Sequence, residues 1–418
     1  PIGSRGLGDV YKRQGETQHH KLQHITSIER LLEADFVWMD KFTIRNLELY
    51  HSNNPNAVTL IKVIDKTLSP MGGRLLKRWL ALPLKSVTEI KARHDVVQYF
   101  YENETALIEI QSSLKGVGDL ERLISKVATA KVSPREVVQL KNSLEQILPI
   151  RALALDSSHL HLNSLGKQIQ DCEALRLKIK ATLNEDAPVN ILKGHTIASS
   201  ANEELAALRS IAFSGKDYLD GMLARESEAT GIPSLKIASN NVFGYYIEVR
   251  NTHKDKVPAH WIRKQTLVNA ERYITEELKE YEQKILGAED QILDIEQRLF
   301  SELISWMYAH IKDVQQNAQL LAELDCLSAF AHLAKQNHYN CPELDASFDL
   351  DIQQGRHPVI EKQLPLGETY VANDLFLDRE TQQIIMITGP NMSGKSAILR
   401  QTALIVLSAQ IGSFVPAA

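Results

Sequence analysis

The sequence predicts a mostly α, multidomain fold: helical segments, a small inserted β region, and at the C-terminal end the first part of an α/β domain. Three observations carry that expectation. From about Ile25 to Arg225 apolar residues recur at helical spacing, and no proline interrupts the chain from Ala259 to Cys341. Between Gly231 and Thr275 the period changes from 3.6 to 2. Finally, the apolar run Ile384–Thr388 reads as a buried strand, leads into a glycine-rich loop, and is followed by a helical run from Ala397 to Ala409.

Taken in order, Pro1–Gln14 has no periodicity and reads as a non-native or artefactual segment outside the fold. Residues 15–230 form a helical body. Within it, Leu68–Leu82 carries Leu75, Leu76, Trp79 and Leu80 on one stripe and stops before Pro83. Ser133-Pro134-Arg135-Glu136 has Ser at the cap, Pro at the first helical position and Glu at the third, which is a capping box. Leu205, Leu208, Ile211, Tyr218 and Met222 mark a further helix, slightly weakened by Gly215. Gly231-Ile232-Pro233 ends the helical pattern. Leu235–Ile237 and Tyr245–Arg250 then alternate, with Asn240-Asn241 and Gly244 suited to a turn, so residues 231–276 are a small β region. Helix resumes at Thr275, and Tyr281, Ile285, Ile292, Ile295, Leu299, Leu303 and Met307 form a packing stripe over residues 277–340. From 341 to 418 the pattern becomes short strands and turns.

Bulk properties narrow the classes. A length of 418 residues exceeds one ordinary core, so about two to four domains are expected. With 44% hydrophobic and 24% charged residues the composition is that of a soluble globular protein. Cys172, Cys326 and Cys341 lack disulfide or zinc-ligand spacing, which fits a reducing cytoplasm. No run is long enough to span a membrane, and no secretory signal is visible. His19, His20 and His24 have only a loose metal-like spacing. A net charge of −5 excludes a globally basic nucleic-acid binder, so any such contact must be local. One local patch exists. From Arg250 to Arg272, six basic residues (Arg250, Lys254, Lys256, Arg263, Lys264, Arg272) face two acids, Asp255 and Glu271. They grip phosphates only if they share a face; otherwise the run is a solvated surface. Tyr245, Tyr246, Trp261 and Tyr273 are expected to pack rather than to stack on bases.

The chemistry is clearest in Gly389-Pro390-Asn391-Met392-Ser393-Gly394-Lys395-Ser396. Strand, glycine-rich loop, Gly-Lys-Ser and helix are the context of a phosphate-binding loop. Backbone amides of residues 391–396 and the helix N-terminus would cradle phosphates. Gly389 and Gly394 permit the backbone shape. Lys395 would reach the β- and γ-phosphates, and the Ser396 hydroxyl would ligate Mg²⁺.

Thr388–Leu404 followed by Gln410–Ala417 resembles the ATPase opening of the MutS DNA mismatch repair family. Asp40 with Arg45-Asn46-Leu47-Glu48, and Ser69-Pro70-Met71-Gly72-Gly73-Arg74-Leu75-Leu76-Lys77-Arg78-Trp79-Leu80, resemble that family's core domain. Gly244-Tyr245-Tyr246-Ile247, Gln265-Thr266-Leu267 and Asn269-Ala270-Glu271-Arg272-Tyr273 are similar to its clamp; Gly355-Arg356-His357-Pro358-Val359 and Ala372-Asn373 are similar to its ATPase entry. The resemblance covers nearly everything from about residue 15 onward. It implies a helical core and lever, a β clamp at 231–276 gripping duplex DNA by its backbone, returning helices at 277–340, and the N-terminal part of an ABC-type ATPase domain at 341–418. It implies ATP and Mg²⁺ as ligands, with Tyr370 stacking on adenine. It also implies Arg263, Lys264, Asn269 and, more weakly, Lys236 as DNA contacts. A homodimer, partners of the MutL type and a nucleoid-associated cytoplasmic location follow from it too. Departures are Ala397, where many members carry Thr, and the absence from this stretch of the family's N-terminal mismatch-reading domain with its Phe-x-Glu wedge and of its Walker B acids. On that basis this stretch alone is expected not to hydrolyse ATP at a meaningful rate. Two other readings stay open: a MutS paralogue acting on recombination intermediates, and an unrelated P-loop ATPase with coiled-coil arms, which would show sustained heptads. A non-catalytic helical module with a vestigial loop is a third.

Overall fold

A computed structural model describes residues 33–418 apart from 53, 55–56, 241–243, 366 and 391–393. Pro1–Gln14, the three N-terminal histidines, Asn241 and the loop residues Asn391, Met392 and Ser393 therefore lie outside the described residues. So do the side chains of Ile211, Gly215, Tyr281 and Ile285. In chain order the helices are α1 (Lys41–Asn46), α2 (Leu60–Ile64), α3 (Pro70–Ala81), α4 (Val87–Glu102), α5 (Glu104–Lys115), α6 (Leu120–Ala128), α7 (Pro134–Glu145), α8 (Ile147–Asp156), α9 (Leu160–Gln168), α10 (Glu173–Thr182), α11 (Glu203–Thr230), α12 (Glu276–Met307), α13 (Ile311–Asn337), α14 (Pro358–Glu361) and α15 (Lys395–Gln410). The strands are β1 (Lys236–Asn240), β2 (Gly244–Arg250), β3 (Ile262–Thr266), β4 (Ala270–Ile274), β5 (Leu350–Gly355) and β6 (Asn373–Leu377). The fold is mostly helical with small antiparallel sheets. It divides into two compact units, Pro1–Val132 with Gln139–Arg176 and Met307–Ala418, and Ser133–Val138 with Leu177–Trp306.

The first unit is built around α13. This helix is buried on every side from Leu324 to Ala331, with Val314, Leu321, Leu324, Leu327, Phe330 and Leu333 in the core, so it must be enclosed. Helices α3, α4, α5 and α6 pack against it. Two of its buried polar residues each hold a loop. The Asn317 carboxamide accepts from the Gln170 amide and donates to the Gln170 carbonyl, both at 2.8 Å. Asp325 accepts from the amides of Leu68 and Ser69 and from the Ser69 hydroxyl. Ser69 in turn accepts from the Gly72 amide at 3.0 Å, so the cap of α3 is itself held by the core.

In the same unit β5 and β6 pair antiparallel, and Ile405 and Ala409 of α15 pack on Ile352 with Val415 and Ala417. One expectation fails here. Ile384–Thr388 is not a strand, and Ile384 and Met386 are each 85% exposed. A strand exists only with hydrogen-bonded neighbours, and among the described residues none pairs with this run. Its hydrophobicity is therefore a requirement for burial that these residues do not meet.

The second unit holds the capping box at the start of α7, with Glu136 accepting from the Ser133 amide at 3.0 Å and the Glu136 amide donating to the Ser133 hydroxyl at 3.4 Å. Its long helices α11 and α12 carry a four-stranded antiparallel sheet of order β1-β2-β4-β3. Thr275 caps α12, its hydroxyl accepting from the Leu278 amide at 3.1 Å. Leu219, Met222 and Leu278 of the helices pack with Ile247, Val249, Trp261 and Tyr273 of the sheet region. The aromatics are packing residues: Tyr245, Tyr246 and Tyr273 from strands, and Trp261 from the bend before β3. The helices are tied by Tyr218, whose hydroxyl donates to Glu277, and by the Arg225–Glu277 ion pair at 2.7 Å. Lower down, the wholly buried Glu296 on α12 pairs with Arg209 of α11 at 2.5 Å and accepts from the Thr196 amide.

Candidate functional site

Of the candidate phosphate-loop residues, Gly394 caps α15, and Lys395 and Ser396 open it. Gly389 has φ of +152° and Gly394, the helix cap, has φ of +87°. Nothing lies within 4 Å of an added Cβ at Gly394, so its need for glycine comes from the backbone angle alone. Directly after it the Lys395 ammonium folds back over the loop. It donates to the Gly389 carbonyl and, at 2.7 Å, to the Pro390 carbonyl. The ammonium thus rests on oxygen acceptors at the mouth of the loop, the partners that phosphate oxygens would replace. The Ser396 hydroxyl is exposed beside it. The ammonium fits the oxygens of a phosphate chain, and the hydroxyl oxygen fits a hard cation that prefers oxygen ligands.

Tyr370, the candidate adenine platform, precedes β6, and its hydroxyl donates to Gln401 Oε1 at 2.9 Å. Gln401 lies six residues beyond Lys395, about 9 Å along the helix axis. Burial pushes the Tyr370 hydroxyl above its usual pKa, so it stays a donor. Gln401 is buried because Gly355 leaves room; an added Cβ there would come within 2.8 Å of its Nε2.

A cleft of about 170 Å³ adjoins Ser396. Its walls include Arg400 from α15, His357 and Ile360 around α14, and Glu48 and Val58 from the α1–α2 segment. His357 is the α14 cap, its Nδ1 accepting from the Val359 and Ile360 amides. Burial, and then the charge of Arg400, lower its pKa to about 4. Arg400 and Glu48 form an ion pair at 3.4 Å. Sequence reasoning gave none of these three a role. The legible signal was spacing, since Arg400 is four residues past Ser396 and so shares its helix face.

The basic β region sorts its charges in a way composition did not. In β3 and β4, Arg263 pairs with Tyr273 and Gln265 with Arg272, so Lys264 is the extra residue of a β-bulge. Tyr273 and Arg272 point to opposite faces, and Arg263 and Gln265 do likewise. Arg272 is absorbed internally: it donates to Gln265 at 2.8 Å and Glu248 at 3.3 Å, and lies 4.2 Å over the Tyr246 ring. Arg263 keeps an exposed side chain beside Glu271 at 3.5 Å. Asn269 is exposed in the β3–β4 turn, which Asn251 tethers by donating its amide to the Asn269 carbonyl at 3.2 Å and its Nδ2 to the Val268 carbonyl at 2.9 Å. Arg263, Lys264 and Asn269 therefore lie on one hairpin. Lys236 does not join them. It sits on β1, the opposite sheet edge, three strand spacings or about 14 Å away.

The chain is a mostly helical protein that carries a small antiparallel sheet on two long helices and a glycine-capped Gly-Lys-Ser helix start. The family model for MutS domain III matches residues 42–331, and that for MutS domain V matches residues 385–418. The chain belongs to the MutS family. It is 67% identical over 415 residues to the DNA mismatch repair protein MutS of Flavobacterium johnsoniae, covering 99% of this chain and 48% of that protein. It is 66% identical to the protein of the same name from Flavobacterium psychrophilum and 57% identical to that of Bacteroides fragilis, each over 410 residues and 98% of this chain, covering 47% and 48% of those proteins. The chain thus spans about half the length of the curated relatives it matches. Among the described residues no helix is long and apolar enough to cross a membrane.

Proposed function

We propose that this chain supplies the helical body, the DNA-gripping sheet and the opening of the nucleotide site of a protein acting in DNA mismatch repair. Residues 15–230 and 277–340 are the core and lever, 231–276 the clamp, and 341–418 the start of an ABC-type ATPase domain. ATP is bound through its phosphates by Gly389–Ser396, with Ser396 on Mg²⁺ and Tyr370 against adenine. Double-stranded DNA is held by Arg263, Lys264 and Asn269, with Lys236 a separate, weaker contact. The whole protein works in the cytoplasm as an ATP-dependent homodimer on mismatched DNA and hands on to partners of the MutL type.

The observation that carries this reading is the Lys395 ammonium resting on the Gly389 and Pro390 carbonyls beside an exposed Ser396, a cation suited to phosphate oxygens next to a hydroxyl oxygen suited to the metal ion they carry. It is supported by the exposed hairpin, which offers positive charge without a groove-reading helix and so suits backbone contact. Titration of the chain with a fluorescent ATP analogue and Mg²⁺ tests it. Binding should weaken by about 10-fold or more in Lys395→Ala, the scale of hydrogen bonds to a charged group. Binding indifferent to Lys395 would sink the assignment.

A further inference from the structure

The first turn of α15 reaches beyond the phosphate loop. Ser396 and Arg400 share a helix face that lines the cleft, and across it Arg400 meets Glu48 at 3.4 Å. Both residues lie in the same compact unit, 352 positions apart in sequence.

Glu48 is a fixed partner. Its φ of +51° is unusual for a residue with a side chain and persists only where the surroundings hold it. Its amide donates to the Arg45 carbonyl at 3.1 Å, and its carboxylate accepts from the Ser52 hydroxyl at 2.7 Å. Its carbonyl accepts from the Leu60 amide at 3.1 Å, and the Leu49 carbonyl accepts from the Ile61 amide at 3.0 Å. Glu48 is thereby bonded to the first turn of α2, whose Leu60, Ile61, Val63 and Ile64 are buried. The third wall, His357, is neutral at pH 7 and committed to capping α14, so it adds no charge to the Arg400–Glu48 pair.

We propose that Glu48 and Arg400 form a latch that reports occupancy of the phosphate loop to the α1–α2 segment. The inference rests on reading Gly389–Ser396 as that loop. Phosphate and a metal ion held at Ser396 draw on the first turn of α15, and a helix is stiff over one turn, so Arg400 moves with Ser396. A part-exposed ion pair at 3.4 Å is weak, about 1 kcal/mol or less, and a small shift suffices to tighten or release it. Because Glu48 is bonded to α2, the response appears there, and the ligand drives it only through its different affinity for the two arrangements.

Hydrogen exchange of the Leu60 and Ile61 amides, measured on the chain with and without ATP and Mg²⁺, tests the latch, with nucleotide binding followed in the same samples. In the unmodified chain nucleotide should change their exchange by about threefold, the scale of one exposed ion pair. Glu48→Gln keeps the Ser52 bond and the backbone contacts but removes the charge, and Arg400→Gln removes the other. Each should still bind nucleotide while losing the exchange response, and Arg400→Lys should keep it. Binding without a response in the unmodified chain, or a response that survives both glutamine variants, overturns the latch alone. Absence of nucleotide binding overturns the loop assignment and the latch together.

Discussion

The Ser69 hydroxyl donates to the Asp325 carboxylate across 2.6 Å, although 256 residues separate them in the chain. Asp325 is fully buried on α13 and, among the described residues, makes no ion pair; its charge is met by the Leu68 and Ser69 amides and that hydroxyl. Burial raises its pKa despite these donors. Asp325→Asn should therefore destabilise the chain by about 2–4 kcal/mol, because the new amide nitrogen would face backbone donors. Ser69→Ala, which removes both a cap and a donor to the buried carboxylate, should cost about 2–3 kcal/mol. Urea unfolding decides this, and an Asn variant as stable as the parent would contradict it.

Local signals in the sequence were read well where the physics is local. Ser133 and Glu136 bond reciprocally, Pro83 follows the end of α3, and Thr275 caps α12, since each depends on residues within one helical turn. Non-local outcomes were not legible. Ile384–Thr388 has a strand's composition, yet pairing is decided by neighbours. The bulge at Lys264 sets which face Arg263 takes, and only register reveals it. The Glu48–Arg400 pair joins two segments whose separation leaves no periodic trace.

His357 gives the chain an acid sensitivity. Its folded pKa is about 4 against an ordinary value of 6.5, so the folded state prefers the neutral ring. The sign follows: the stabilisation is complete above about pH 6.5 and is lost as pH falls from there toward 4, up to about 3 kcal/mol. His357→Asn retains an oxygen to cap α14 and removes the titration. Unfolding midpoints at pH 7.5 and 4.5 should converge in that variant relative to the parent. An unchanged pH dependence would show that other groups are responsible.

Duplex binding should separate the basic residues that composition groups together. Arg263→Glu with Lys264→Glu should weaken binding equally for matched and mismatched duplexes and lower the salt slope by about 2, as expected for lost phosphate contacts. Lys236→Glu, on the far sheet edge, should have the smaller effect. Arg272→Gln should act mainly on stability, since that guanidinium is already spent on Gln265, Glu248 and the Tyr246 ring. Fluorescence anisotropy across a salt series measures all three. A loss confined to mismatched duplexes would contradict a grip on the backbone.

Tyr370 combines two functions that substitution can pull apart. The hydroxyl bonds to buried Gln401, and the ring is the part proposed to meet adenine. Tyr370→Phe leaves a buried carboxamide oxygen unpaired, at a cost of about 1–3 kcal/mol of stability, but keeps the ring. Tyr370→Ala removes the stacking surface, worth about 1–3 kcal/mol per base, so ATP affinity should fall by about 10-fold. Inorganic triphosphate, which has no base, should bind the parent and the alanine variant alike. Calorimetric titration with both ligands separates the outcomes: equal losses for ATP and triphosphate would mean that Tyr370 supports the loop rather than the base.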